Sequence, residues 1–149
     1  MPSVTEWDET KSLLGRRGAA ILVALEALYI VALLAGLAND KDSETGESLA
    51  PVAAALLIFV IPLVIAFAAT AWILWRGRVR PAVPSQARTV RNLFALGIVV
   101  LINGALALQG LVGLLTIRLE TERALAGFVG LIIATACVLL VRAEWRDHL

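Results

Sequence analysis

The chain alternates between long apolar stretches and short polar segments, and this pattern predicts four membrane-spanning helices. A membrane helix needs about 20 mostly apolar residues, because each residue adds about 1.5 Å and the hydrocarbon core is about 30 Å thick. Four stretches meet this requirement, at residues 18–38, 49–75, 93–116 and 124–141. Pro62 lies near the centre of the second stretch, where its missing N–H predicts a kink.

The polar segments predict two tails and three loops. They are an N-terminal tail at 1–17, an acidic loop at 39–48, a basic loop at 76–92, a short loop at 117–123 and a C-terminal tail at 142–149. None is long enough to form a separate soluble domain, which typically needs about 50–200 residues. The expected fold is therefore all-α, a four-transmembrane-helix bundle.

The positive charges predict how the bundle is oriented. Ten of the 13 lysines and arginines lie in the two tails and the basic loop, and the opposite side carries the acidic loop. By the positive-inside rule, both termini are expected to be cytoplasmic, an N-in/C-in arrangement. Arginine outnumbers lysine 11 to 2, a usage typical of high-GC bacteria. The expected location is therefore the bacterial plasma (inner) membrane, crossed several times.

Composition supports the membrane assignment and excludes other classes. The chain is 60% hydrophobic and 17% charged, whereas soluble domains are about 45–50% apolar and about 25% charged. An intrinsically disordered chain is also excluded, because disorder requires low hydrophobicity and high net charge. A formal net charge of +1 gives no indication of a nucleic-acid partner.

The residues that usually perform catalysis or bind metals are sparse. His148 is the single histidine and Cys137 the single cysteine, so a His/Cys zinc site or a bis-histidine haem site is not expected. No phosphate-binding glycine loop occurs. We therefore expect no enzyme activity, no catalytic residue, no cofactor and no metal.

A row of small residues in the fourth span predicts where helices pack. Ala126, Gly130 and Ala134 recur at a spacing of four. In lipid, no hydrophobic force draws helices together, so small residues that let backbones approach determine the contact faces.

Glu26 is the one charged residue well inside a predicted span. An acid there costs about 2.5–3.5 kcal/mol on insertion scales, so such residues usually face a cavity or a partner. Asn103 and Thr135 fall at about the same depth, and Tyr29 lies on the same helix face as Glu26. These four side chains form a predicted polar layer.

Three roles for Glu26 remain open. It is hydrogen-bonded inside the bundle, it contacts another membrane subunit, or it is a proton- or cation-coupled transport site. A chain of four short helices with a glutamate in the first, here within the stretch 19–26, resembles the small multidrug resistance transporters in outline. That resemblance implies a small homo-oligomeric transporter. The chain departs from that family in its longer basic and acidic loops and in lacking a tryptophan in the third span.

The basic loop is the second candidate site. Arg76, Arg78 and Arg80 precede two prolines, and each arginine near an anionic leaflet contributes about 1 kcal/mol of attraction. These arginines either dock an acidic partner or anionic lipids at the cytoplasmic face, or serve only to set the topology.

The sequence favours an accessory subunit of a larger bacterial membrane complex over a catalyst. We expect such a subunit to brace, orient or complete a transport, respiratory or envelope-assembly complex through contacts with larger membrane subunits. The alternative is a small homo-oligomeric transporter or channel that uses Glu26.

Overall fold

Four long helices make up the fold. The structure, a computed structural model, describes residues 4–83, 85–116 and 120–146, with side chains from Leu13 onward. The helices are α1 (Val4–Asn39), α2 (Ala50–Arg76), α3 (Gln86–Leu115) and α4 (Thr121–Arg146). All four are long and apolar enough to cross a membrane, the part of α1 that qualifies being Leu13–Asn39. The prediction of four apolar helices is confirmed.

Short connections make successive helices antiparallel neighbours. The strongest contacts join α1 to α2 and α3 to α4, while α2 with α3 and α1 with α4 touch more lightly. The bundle is thus a ring of two tight helix pairs. We call the end with residues 77–85 and the C-terminus of α4 the basic end, and the end with residues 40–49 the acidic end.

Three helices extend beyond the predicted apolar spans at the basic end. α1 begins at Val4, α3 begins at Gln86 and α4 continues to Arg146, whereas α2 agrees with its predicted span to within one residue. Hydropathy reports only the lipid-embedded part, and a helix continues past it wherever backbone pairing and capping allow. Ser85 supplies such a cap for α3 by accepting a hydrogen bond from the Arg88 N–H at 3.4 Å. The predicted loop at 117–123 and the C-terminal tail lie partly outside the described residues.

The second helix is continuous through Pro62. Proline has no N–H, so the Ile58 carbonyl lacks its usual intrahelical donor. Pro62 lies on the outer surface of the bundle, where its ring does not disturb the packing of the helix pairs.

The core lies mainly in the basic half of the bundle. Its buried apolar residues come from all four helices and from the loop after α2, and its large side chains include Phe67, Leu74, Val79, Val99 and Ile133. On the acidic side of Glu26 and Asn103, buried residues among those described are limited to Ala27, Ala53 and Gly127. The two helix pairs are therefore held together chiefly in one half.

Candidate functional site

Glu26 and Asn103 form a hydrogen bond across the bundle. The Asn103 side-chain amide donates to the Glu26 carboxylate at 3.1 Å and to the Val99 carbonyl oxygen at 3.1 Å. Asn103 is 0% exposed and Glu26 is half-buried. Because α1 and α3 are diagonal in the ring and have no close backbone contact among the described residues, this side-chain bond joins two helices that are not neighbours. The bond links one helix pair to the other where the core ends.

The other two members of the predicted polar layer point away from this bond. Tyr29 is 65% exposed and Thr135 is also exposed on the outer surface. The structure therefore brings two of the four residues together and places two hydroxyl groups outside. Depth could be read from the sequence, but helix rotation could not, because it depends on which neighbours each helix contacts.

Glycines set the contact between α3 and α4. A Cβ added at Gly127 would lie 3.0 Å from the Gly110 Cα, and one added at Gly130 would lie 2.6 Å from the Asn103 carbonyl oxygen. Both are closer than ordinary van der Waals contact, so the two backbones approach as only glycine permits. Of the predicted row, Gly130 is at this contact, and Ala126 and Ala134 are half-buried beside it.

The loop after α2 is docked onto α4 through Glu144. Its carboxylate accepts hydrogen bonds from the Val79 N–H at 2.6 Å and the Arg80 N–H at 2.9 Å. Asn92 donates to the Val79 carbonyl oxygen at 2.7 Å, and the Val79 side chain is fully buried. Sequence reasoning missed this contact. The sequence feature that could have indicated it is Glu144 itself, an acidic residue among the arginines of the basic end.

The turn that leads into this loop uses Gly77 and Arg16. Gly77 ends α2 with φ 72 and donates its N–H to the Ile73 carbonyl oxygen at 2.8 Å, a left-handed cap that favours glycine. The Arg16 guanidinium packs against Gly77, where a side chain would otherwise project. A cation near a helix C-terminus is favourable because the last carbonyls carry partial negative charge.

Arginine–tryptophan pairs surround the basic end. The guanidinium of Arg80 lies 5.6 Å from the Trp145 ring, and those of Arg17 and Arg76 lie 5.1 and 5.8 Å from the rings of Trp75 and Trp72. Such contacts are cation–π interactions, and tryptophan concentrates at membrane–water boundaries. Arg76, Arg78 and Arg80, the predicted contact residues, are all exposed there.

Within the residues the structure describes, no three histidine, cysteine or carboxylate side chains come together as a metal site would need. No protein-family model, curated protein or solved structure matches this chain.

Proposed function

We propose that this chain is a non-catalytic accessory subunit of a larger bacterial membrane complex, with its basic end in the cytoplasm. In this proposal the outer face of α1 that carries Tyr29 binds a helix of a larger subunit. The observation that supports it most is the outward position of Tyr29, 65% exposed inside a membrane span.

Tyr29 has a chemical reason to need a partner. It lies three residues from the midpoint of the span Leu13–Asn39, or about 4.5 Å along the helix axis. A hydroxyl that faces lipid tails lacks a hydrogen-bond acceptor, and polar groups at this depth normally face protein or a cavity. Thr135 faces outward as well, although a threonine can bond to its own helix backbone. A partner helix would supply the acceptor for Tyr29.

The same face of α1 has room for a close backbone approach. Ala32 and Gly36 follow Tyr29 at helical spacing and are exposed. A Cβ added at Gly36 would meet nothing within 4 Å. Because small residues let membrane helices approach closely, this row suits a second helix better than it suits lipid.

A groove between α4 and the basic end of α1 offers further apolar surface on the outside of the bundle. It has a volume of about 610 Å³ and is lined mainly by apolar side chains, with Arg16 at its basic end and Thr135 in its wall. Glu26, in contrast, is already bonded to Asn103 inside the bundle, which favours a bracing role for this acid over a transport role.

Purification from native membranes in mild detergent, followed by mass spectrometry of everything retained, tests the proposal. We expect a larger membrane subunit at fixed stoichiometry with the wild type. Gly36→Leu should lose it because the added side chain blocks the close approach, and Tyr29→Phe should weaken it. Gly97→Leu is the matched control, since Gly97 is exposed on α3 and its Cβ would also meet nothing.

Two results would contradict this proposal. If Gly36→Leu and Gly97→Leu retain the partner equally, α1 does not bind it. If the chain purifies alone as a symmetric oligomer, the accessory-subunit role fails and the homo-oligomeric transporter built on Glu26 takes its place.

A further inference from the structure

A groove on the outer surface between α2 and α3 runs from the middle of the membrane to the basic end. Its volume is about 860 Å³. It begins at Pro62 and ends among arginines of the basic loop and the start of α3. This surface is separate from the face of α1 and α4 considered above.

The membrane half of the groove is apolar. It is lined by small side chains such as Ala66, Ala69 and Ala95, which leave space between α2 and α3. These two helices pack less closely than either tight helix pair. Phe94, 71% exposed, forms part of the outer rim. The lining contains one side-chain amide, that of Asn92, and it already donates a hydrogen bond to the Val79 carbonyl oxygen. A ligand in this half therefore has apolar surface to contact.

All the charged side chains that line the basic end of the groove are positive. Its lining includes five arginines and neither aspartate nor glutamate. The five are Arg76, Arg78, Arg80, Arg88 and Arg91. Among the described ion pairs, Arg80 alone of the five is engaged, with Glu144 at 3.8 Å. The N-terminus of α3 adds the partial positive charge of unpaired N–H groups.

We propose that this groove binds one anionic glycerophospholipid of the leaflet at the basic end. The arginines hold the phosphate, since guanidinium groups bind phosphate oxygens in a bidentate manner. One acyl chain lies along the apolar walls towards Pro62. The groove has a positively charged end and an apolar half, so its ligand must be amphipathic. The arginines favour an anionic headgroup, and the apolar half favours an acyl chain.

The length of the groove agrees with a single lipid. From Pro62 to Arg76 the helix rises about 21 Å. One leaflet, including its headgroup region, is about 20–22 Å thick. A free phosphate would use only the arginines and leave the apolar half empty.

Binding of defined lipids to the purified full chain in a neutral detergent tests this proposal, with native mass spectrometry as the readout. Phosphatidylglycerol is the anionic probe, phosphatidylcholine the zwitterionic one, and inorganic phosphate the competitor. We expect one tightly held phosphatidylglycerol, much weaker phosphatidylcholine binding and no displacement by phosphate.

Two variants separate the two halves of the groove. Arg88→Gln with Arg91→Gln should weaken phosphatidylglycerol binding about 25-fold, at about fivefold for each arginine. Its control, Arg142→Gln with Arg146→Gln, removes equal charge from exposed positions of α4 at the same end. Ala69→Phe should abolish binding with every arginine present by filling the acyl path, and Ala54→Phe, exposed elsewhere on α2, should not.

The proposal is overturned if phosphatidylcholine binds as tightly as phosphatidylglycerol. It is also overturned if the Arg142 and Arg146 variant loses as much affinity as the Arg88 and Arg91 variant, which would mean general surface attraction. Unchanged binding in Ala69→Phe, or displacement by inorganic phosphate, would show an anion site without an acyl path and would equally overturn it.

Discussion

Gly130→Ala should separate α3 from α4 and destabilise the bundle. The new Cβ would lie 2.6 Å from the Asn103 carbonyl oxygen, about 0.8 Å inside an ordinary carbon–oxygen contact. The obstacle is backbone in the middle of a helix, so it cannot rotate aside as a side chain would. The helices must therefore move apart or shift along their axes.

The expected magnitude combines two opposing effects. Overpacking a close contact costs about 1–3 kcal/mol, and replacing a helical glycine by alanine gains up to about 1 kcal/mol in helix propensity. We expect a net loss of about 1–2 kcal/mol in Gly130→Ala. Gly127→Ala, whose Cβ would lie 3.0 Å from the Gly110 Cα, should lose less.

Gly104→Ala is the matched control, because its Cβ would meet nothing within 4 Å. The same chemical change should there be neutral or slightly stabilising. Unfolding by sodium dodecyl sulfate titration, followed by tryptophan fluorescence and circular dichroism in a mild detergent, measures the difference. If Gly130→Ala is as stable as Gly104→Ala, the close approach of α3 and α4 is not what holds this pair.

Three further changes probe the polar contacts. Glu26→Ala should lower the free energy of unfolding by about 1–3 kcal/mol, since one buried Asn103 amide N–H loses its acceptor. Glu26→Gln keeps an acceptor, so its free energy of unfolding should lie within about 1 kcal/mol of the wild type. Equal losses in the two variants would contradict this. Glu144→Ala should accelerate hydrogen exchange of the Val79 and Arg80 backbone amides, which donate to this carboxylate. The expected increase is about 10–100-fold, which corresponds to the free energy of a hydrogen bond to a charged group. Unchanged exchange would show that the loop is held by Val79 packing alone. Glu120→Ala removes an exposed ion pair with Arg123 at 3.2 Å and should change stability by less than about 1 kcal/mol in the same titration, so a larger loss would mean that this turn is more ordered than its exposure suggests.

Hydropathy predicts the four spans because lipid solvation acts on each segment independently of its neighbours. Four stretches of sufficient apolar length can be found without knowing how they pack. The ends are less predictable: α1 begins at Val4 and not near residue 18, because helical hydrogen bonding does not stop at the hydrocarbon boundary.

The candidate site is only partly predictable, because it depends on helix rotation and on one loop. The bond between Glu26 and Asn103 follows from their common depth, but the outward position of Tyr29 does not. Glu144 was missed for another reason. Its partners are backbone N–H groups of a segment distant in sequence, so an acid among arginines indicates that a contact is possible but does not identify its partners.

The two proposed surfaces lie in parts of the bundle with different packing. The lipid groove lies in the basic half, where the core, the Glu144 contacts and the Arg17–Trp75 and Arg80–Trp145 pairs join different helices or the loop after α2. Ala32 and Gly36 lie on the acidic side of Glu26, where few described residues are buried. Few buried contacts mean a lower cost of local opening, so a partner helix on this face would order it. Distant sites with no shared contacts act nearly independently. The Glu26–Asn103 bond joins α1 to α3 at a level between these surfaces, and neither residue lines the lipid groove, so we expect lipid binding and partner binding to be independent of each other.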